Sequence, residues 1–409
     1  MRPRTTTALY QTASRAWLTA ALLSLLLPLR WRLGIWLPLH LALAGAISTA
    51  ISGAMQNFAL ALTATPGPPD RLVRSQFALL TAGVGMIAIG MPTSTPWLTA
   101  AGGASFAAAM AILGWVLVRA WRRALNKRHW LPMAAYGAAV AFVLLGATLG
   151  ALMGAHAVGA ADYLDVKRMH MTVNVLGWAS LTVVGTLITL LPTALRVRMP
   201  PRRGAFLLGL LAAGLVLQVV GWVGSWTVAL AAGGVAYAAG AVSLVWLIGS
   251  VLRMERSWAI PSAAWHMMGA VVWFVSGSIG LAVALFSGAA GFDRFREVFL
   301  TAFVLGWLIQ VLLGAWSYLL PMARPGHPTE RRRALAVFEA GGRTQVVLLN
   351  LGLLLMAGSG AGSLGDRWGA LGIVMALLGG GIALAKAWTF PFASRLPVVT
   401  ERARAVWGE

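Results

Sequence analysis

Cysteine is absent from this 409-residue chain, which removes disulfides, thiolate metal sites and iron–sulfur clusters from consideration. Charge is scarce as well: 11% of residues are Asp, Glu, Lys or Arg, against about 25% in a soluble domain. Acidic residues are the scarcer kind, 11 against 32 Lys and Arg. The chain contains no phosphate-binding loop, dinucleotide fingerprint, nucleophile elbow or zinc-protease helix motif. It also has no His-rich or acidic tract of the sort a soluble metal store uses. These absences exclude most soluble enzyme classes.

What remains is apolar. Hydrophobic residues make up 59% of the chain and the mean hydropathy is +0.78. Runs of about twenty apolar residues alternate with short basic or Gly/Pro-rich breaks, the pattern of an all-α polytopic membrane protein. The net charge of +21 needs no nucleic acid, because the basic residues cluster between apolar runs, where the positive-inside rule retains them. The lipid bilayer is the expected partner and a bacterial plasma membrane the expected location. At the N-terminus Arg2, Arg4 and Arg15 precede an apolar segment. Pro28-Leu29-Arg30-Trp31-Arg32 follows it where a cleaved signal would show small residues. A retained first helix is expected.

Twelve spans are read, near 10–29, 34–63, 72–92, 97–119, 130–155, 168–196, 204–224, 227–251, 260–288, 296–322, 334–359 and 368–391. Only Gly221-Trp222-Val223-Gly224-Ser225 separates the seventh from the eighth. With the N-terminus inside, the inner segments hold 25 of the 32 Lys and Arg, and the outer segments the other seven: Arg30, Arg32, Lys167, Arg168, Arg294, Arg296 and Arg367. That asymmetry predicts cytoplasmic N- and C-termini. The residues around Asp293, Arg294, Arg296 and Glu297 read as an outer charged loop, and Glu339 with Arg343 as an i,i+4 pair.

Internal repetition gives the architecture. His40…Gly45…Gly53, His170…Gly177…Gly185 and Phe299…Gly306…Gly314 each space their glycines by eight. The second and third runs share Gly-Trp (Gly177-Trp178, Gly306-Trp307) and Leu-Leu-Pro endings at Pro192 and Pro321. Later spans open with Arg74-Ser75-Gln76, Arg203 and Arg343-Thr344-Gln345, and Gly137–Phe142 parallels Gly269–Phe274. The reading is one transmembrane domain over 1–409, in three quasi-repeats of four helices near 1–125, 126–255 and 256–409.

Twelve helices in three such repeats resemble the heme–copper oxidase catalytic-subunit superfamily. The pattern His170-x-x-x-Asn174-x-x-Gly177-Trp178, with Gly185-Thr186-Leu187 and Leu190-Leu191-Pro192, is similar to remote members such as cbb3-type subunit-like and NnrS-like membrane proteins. The resemblance implies an axial heme ligand at His40 and a metal ligand at His170. It also implies His in span ten, where Phe299 and Thr301 stand, and paired His in span seven, which has none. A dioxygen-reducing centre is therefore not expected.

Six histidines exist. His40, His156 and His170 fall at outer span ends; His129, His266 and His327 fall inside. Bis-His or His/Met ligation of heme is open to His40, His170, Met169 and Met171. Copper(I) could use His156, His170 and the flanking methionines, near Asp162 and Asp165. His266, in Trp265-His266-Met267-Met268-Gly269, could meet a heme edge or a quinone headgroup. The residues thus point to a heme-binding, or copper-binding, membrane protein for electron transfer or for copper or nitric oxide handling. A quinol or a periplasmic copper or electron-transfer protein would be its redox partner. A transporter for copper or a small solute is the alternative, and an assembly subunit with ordinary histidines is a third.

Overall fold

The computed structural model describes residues 3–125, 127–194, 204–252, 260–323 and 328–393. His327, Arg2, Arg196, Arg198, Arg202, Arg203, Arg253, Arg256, Arg324, Arg395, Arg402 and Arg404 lie outside these residues. The described chain is helical throughout, and eleven stretches are long and apolar enough to cross a membrane. It is an all-α, multi-pass membrane protein. The expected first span lies in α1 (Pro3–Ser24), a helix that holds Arg4 and Arg15 and is less apolar than the eleven. The chain divides into two compact units, one of Met1–Thr186 with Leu208–Tyr237 and one of Leu187–Leu207 with Ala238–Glu409.

After α1 the first unit contains α2 (Leu29–Arg32), α3 (Trp36–His40), a π-helical segment (Leu41–Ile47) and α4 (Ser48–Thr63). Next come α5 (Asp70–Gly90), α6 (Pro96–Arg123), α7 (Trp130–Gly154) and α8 (Tyr163–Thr172). A second π segment (Val173–Ser180) leads into α9 (Leu181–Ala194), whose residues from Leu187 on, with the next helix up to Leu207, count with the second unit. The unit is completed by α10 (Gly204–Gly224) and the first part of α11 (Thr227–Leu252), split at Ser225 in left-handed backbone.

The second unit contains the remainder of α11, then α12 (Ser262–Leu285), α13 (Gly288–Phe299), a third π segment (Leu300–Ile309) and α14 (Gln310–Ala323). It ends with α15 (Pro328–Glu339), α16 (Gly342–Gly360) and α17 (Asp366–Ala393). Two expectations are corrected here. The charged stretch 293–297 is the exposed face of α13, whose other face buries Phe292 and Phe299, so it is amphipathic helix and not loop. Span eleven breaks at Gly341, at φ +67°. Glu339, on the far side of that break, accepts the Ser262 N–H at 3.0 Å and so caps α12, where an i,i+4 partner was expected.

The repeated glycines have a shared use. A Cβ on Gly45 would collide with Trp17, one on Gly177 with Phe142 and one on Gly306 with Trp273. Eight residues on, Gly53 meets Tyr10, Gly185 meets Ala135 and Gly314 meets His266. In every case the partner lies on the preceding span and steps back by seven residues, so three antiparallel helix pairs share one register. The sequence parallel of Gly137–Phe142 with Gly269–Phe274 is thereby shifted by one residue, Phe142 corresponding to Trp273. Each glycine run also starts inside a π segment, at Leu41–Ile47, Val173–Ser180 and Leu300–Ile309.

The third and fourth helices of each repeat touch backbone to backbone. Gly83 faces the Gly102 carbonyl, Gly214 the Gly233 carbonyl and Gly352 the Gly372 carbonyl, with a hypothetical Cβ at 2.8, 2.7 and 2.6 Å. Small residues at such crossings let helices approach in hydrocarbon, where burial of apolar surface gives no drive to associate.

The shared register is testable by cross-linking, since the chain has no cysteine of its own. A Cβ on Gly185 falls 2.7 Å from the Ala135 Cβ, and a disulfide needs about 3.5–4.5 Å, a small parting of the helices. Ala135→Cys with Gly185→Cys should cross-link fully under mild oxidation, and Ala139→Cys with Gly185→Cys should not. Equal cross-linking of both pairs would contradict the register.

Candidate functional site

Within the first unit, two histidines from different repeats come together. His40 ends α3 immediately before the first π segment, and His170 stands three residues before the second. Their rings lie 6.4 Å apart, centre to centre, and 18° from parallel. Both sit deep among packed helices yet keep some accessible surface.

The level of the two rings is set further along the helices. Trp178 Nε1 donates to Ser48 Oγ at 3.0 Å. Ser48 lies eight residues after His40 and Trp178 eight after His170. This cross-helix bond joins two positions equally far along the chain from the two histidines, although they are offset by two residues in glycine register. The tryptophan of the Gly-Trp pair therefore registers one repeat against the next.

Each imidazole is oriented by a backbone carbonyl. His40 Nδ1 is 2.8 Å from the Trp36 carbonyl oxygen, and Trp36 also stacks on the ring at 4.0 Å. His170 Nδ1 is 2.9 Å from the Gly146 carbonyl oxygen. A carbonyl can only accept, so these contacts favour hydrogen on both Nδ1 atoms and a lone pair on both Nε2 atoms, although at His170 the Asn174 Nδ2 donor also stands 3.2 Å from Nδ1. Asn174 follows His170 by one turn and donates from Nδ2 to the His170 carbonyl at 2.8 Å. Room for these groups comes from α7. A Cβ on Gly150 would lie 2.8 Å from His170 Cε1, and one on Gly146 would strike the Asn174 amide at 2.3 Å.

Two buried imidazoles, each anchored through Nδ1, are candidate metal ligands through Nε2. Ligating histidines hand the second ring nitrogen to a carbonyl or carboxylate, which fixes tautomer and direction. An ion bonded at about 2.0 Å to one nitrogen of each ring would set the ring centres roughly 5–6 Å apart, depending on the bond angle at the ion, against 6.4 Å here. The residues present fit a two-imidazole centre.

Met169 is buried on α8 and Met171 half-buried beside it. His156 is exposed just beyond α7, at φ +57°. Asp165 pairs with Arg168 at 2.6 Å and accepts from Ser225 at 3.3 Å. Among the described residues no group of three or more His, Asp or Glu side chains converges on one point. His266 lies in the second unit with Nε2 2.9 Å from Gln345 Nε2.

Sequence reasoning did not single out Trp36, Gly146, Gly150 or Asn174 as parts of the site. Two left a usable signal: Trp36–His40 and His170–Asn174 are both four residues apart, the spacing that places side chains on one helix face. The glycines of α7 repeat every four residues, at Gly146, Gly150 and Gly154, but nothing in the sequence says which neighbour they admit.

No protein-family model matches the chain, and no curated protein matches it.

The tautomers can be read by nitrogen NMR of metal-free, histidine-labelled protein. Signals abolished by His40→Ala and by His170→Ala should each show the Nδ1-protonated pattern. The Nε2-protonated form at either position would remove the free lone pair from the site.

Proposed function

We propose that this is an integral membrane hemoprotein of electron transfer, in which His40 and His170 would hold the heme. The observation that carries the reading is the pair of carbonyl-anchored imidazoles, nearly parallel and 6.4 Å apart. Bound there, heme supplies reversible one-electron chemistry. The protein's share is to hold both rings in the ligating tautomer, set their separation through Ser48–Trp178, and exclude bulk water with packed helices. Electrons would come from a quinol in the bilayer or from a periplasmic copper or electron-transfer protein. The charge asymmetry supports a bacterial plasma membrane and cytoplasmic termini.

Copper(I) is the second reading, because a linear pair of imidazole nitrogens also suits it. An optical spectrum of detergent-purified protein separates the two. A six-coordinate, low-spin heme spectrum is expected, abolished in His40→Ala and in His170→Ala with the protein still monodisperse. Colourless protein with one copper per chain, lost in the same variants, selects copper. Binding of either group undiminished in both variants would sink the proposal.

The orienting groups give a graded prediction. Asn174→Leu and Gly150→Leu should each weaken retention of the bound group by roughly 10–100-fold, the usual effect of losing an outer-shell partner. Gly209→Leu, where a side chain meets nothing within 4 Å, should leave retention unchanged. The measurement is heme or copper occupancy after transfer to a competing apo-protein or chelator.

A further inference from the structure

The second unit contains a set of buried polar atoms that no protein group satisfies among the described residues. His266 is 1% exposed, Gln310 0% and Gln345 5%. Gln345 Nε2 lies 2.9 Å from His266 Nε2, and His266 Nδ1 and Gln345 Oε1 have no partner. Turning the Gln345 amide over changes which of its atoms is engaged but leaves one of them, and Nδ1, unmatched. Both polar atoms of Gln310 are unmatched too.

These atoms share one place between α12, α14 and α16. A Cβ on Gly269 would lie 2.6 Å from Gln310 Nε2 and 3.3 Å from the Asn350 amide. One turn earlier on α12, His266 packs its Cβ against Gly314, one turn beyond Gln310. Asn350 accepts from Trp273 Nε1 at 2.8 Å and closes one side.

The repeats provide an internal control. In the first repeat the corresponding positions are Tyr10, Thr49 and Gln76, also polar: Tyr10 donates to Gln76, and Thr49 Oγ1 and Gln76 Nε2 are buried without partners. In the second repeat the first two are Ala135 and Leu181, both buried and apolar, and the third in sequence is Leu207. Helix packing at this point therefore closes with Ala and Leu. The amides and the imidazole in the third repeat are not required for packing, and unsatisfied they oppose it.

We propose that His266, Gln310 and Gln345 form a binding site for ordered water inside the second unit. The unmatched atoms are a mixture of donors and acceptors with no carboxylate, which suits a neutral molecule that both donates and accepts. Their near-complete enclosure limits it to the smallest such molecule. Water here would give His266 Nδ1 and the Gln310 amide hydrogen-bond partners within an apolar helix bundle. The inference does not depend on the heme reading, which concerns the first unit.

X-ray hydroxyl-radical labelling in oxygen-18 water detects ordered internal water through oxidation of adjacent side chains. Met267 and Trp273, both buried, should label several-fold faster than Met110, which is 0% exposed in apolar surroundings of α6. The variant His266→Ala, Gln310→Leu, Gln345→Leu carries the second repeat's residues and should bring that labelling down to the Met110 rate. If the triple variant is not monodisperse, Gln310→Leu alone should lower labelling by at least half. Wild-type labelling of Met267 no faster than Met110, or labelling unchanged by the substitutions, overturns the proposal. Heme or copper occupancy in the triple variant should equal the wild type.

Discussion

Gly83 on Gly102, Gly214 on Gly233 and Gly352 on Gly372 put helix backbone against helix backbone at one point in each repeat, and much of the structure depends on that closeness. In hydrocarbon a helix already satisfies its own backbone and gains little from covering apolar side chains. Dispersion is left to hold helices together, and it falls off within an ångström of contact. A side chain at these crossings would push the pair apart and forfeit the contacts along both helices. The third and fourth helices of each repeat therefore form a hairpin, and the first and second pair through the other glycine series.

On this frame the histidine pair arises from two copies of one element. Both rings stand beside a π segment on the second helix of a repeat, and Trp178 to Ser48 aligns the two copies. In glycine register the histidines are offset by two residues, since His40 corresponds to Thr172 and His170 to Phe299. The rings are brought together by the packing of unlike residues on like elements. Repetition supplies the scaffold, and divergence within it places the two imidazoles side by side.

How much of this the sequence made legible follows from what each feature writes into it. Apolar length gave the helices, and the Gly221–Ser225 break was visible because glycines and a serine interrupt an apolar run. The glycine spacing exposed the repeat because close approach can be met by little else. Helix α13 was hidden since hydropathy sees its charged face and misses Phe292 and Phe299 one turn pair apart. The π segments were hidden because an extra residue in a turn has no side-chain signature. His40 and His170 were picked out as polar groups in an apolar setting, but their pairing required the Trp178–Ser48 contact across 130 residues. The unmatched amide of Gln310 looked like any polar residue in a long helix until its surroundings showed nothing to bond.

The π segments have a consequence for how such a chain can change. A turn that holds one residue too many is a phase slip: side chains before and after it belong to different faces of what remains a single continuous rod. Losing that residue would re-aim everything on one side of the slip while the glycine-packed side stayed seated. Each second helix thus carries a rotary joint in its covalent length. A gain or loss of a single codon there can swing a ring toward a new partner without loosening the bundle that holds it.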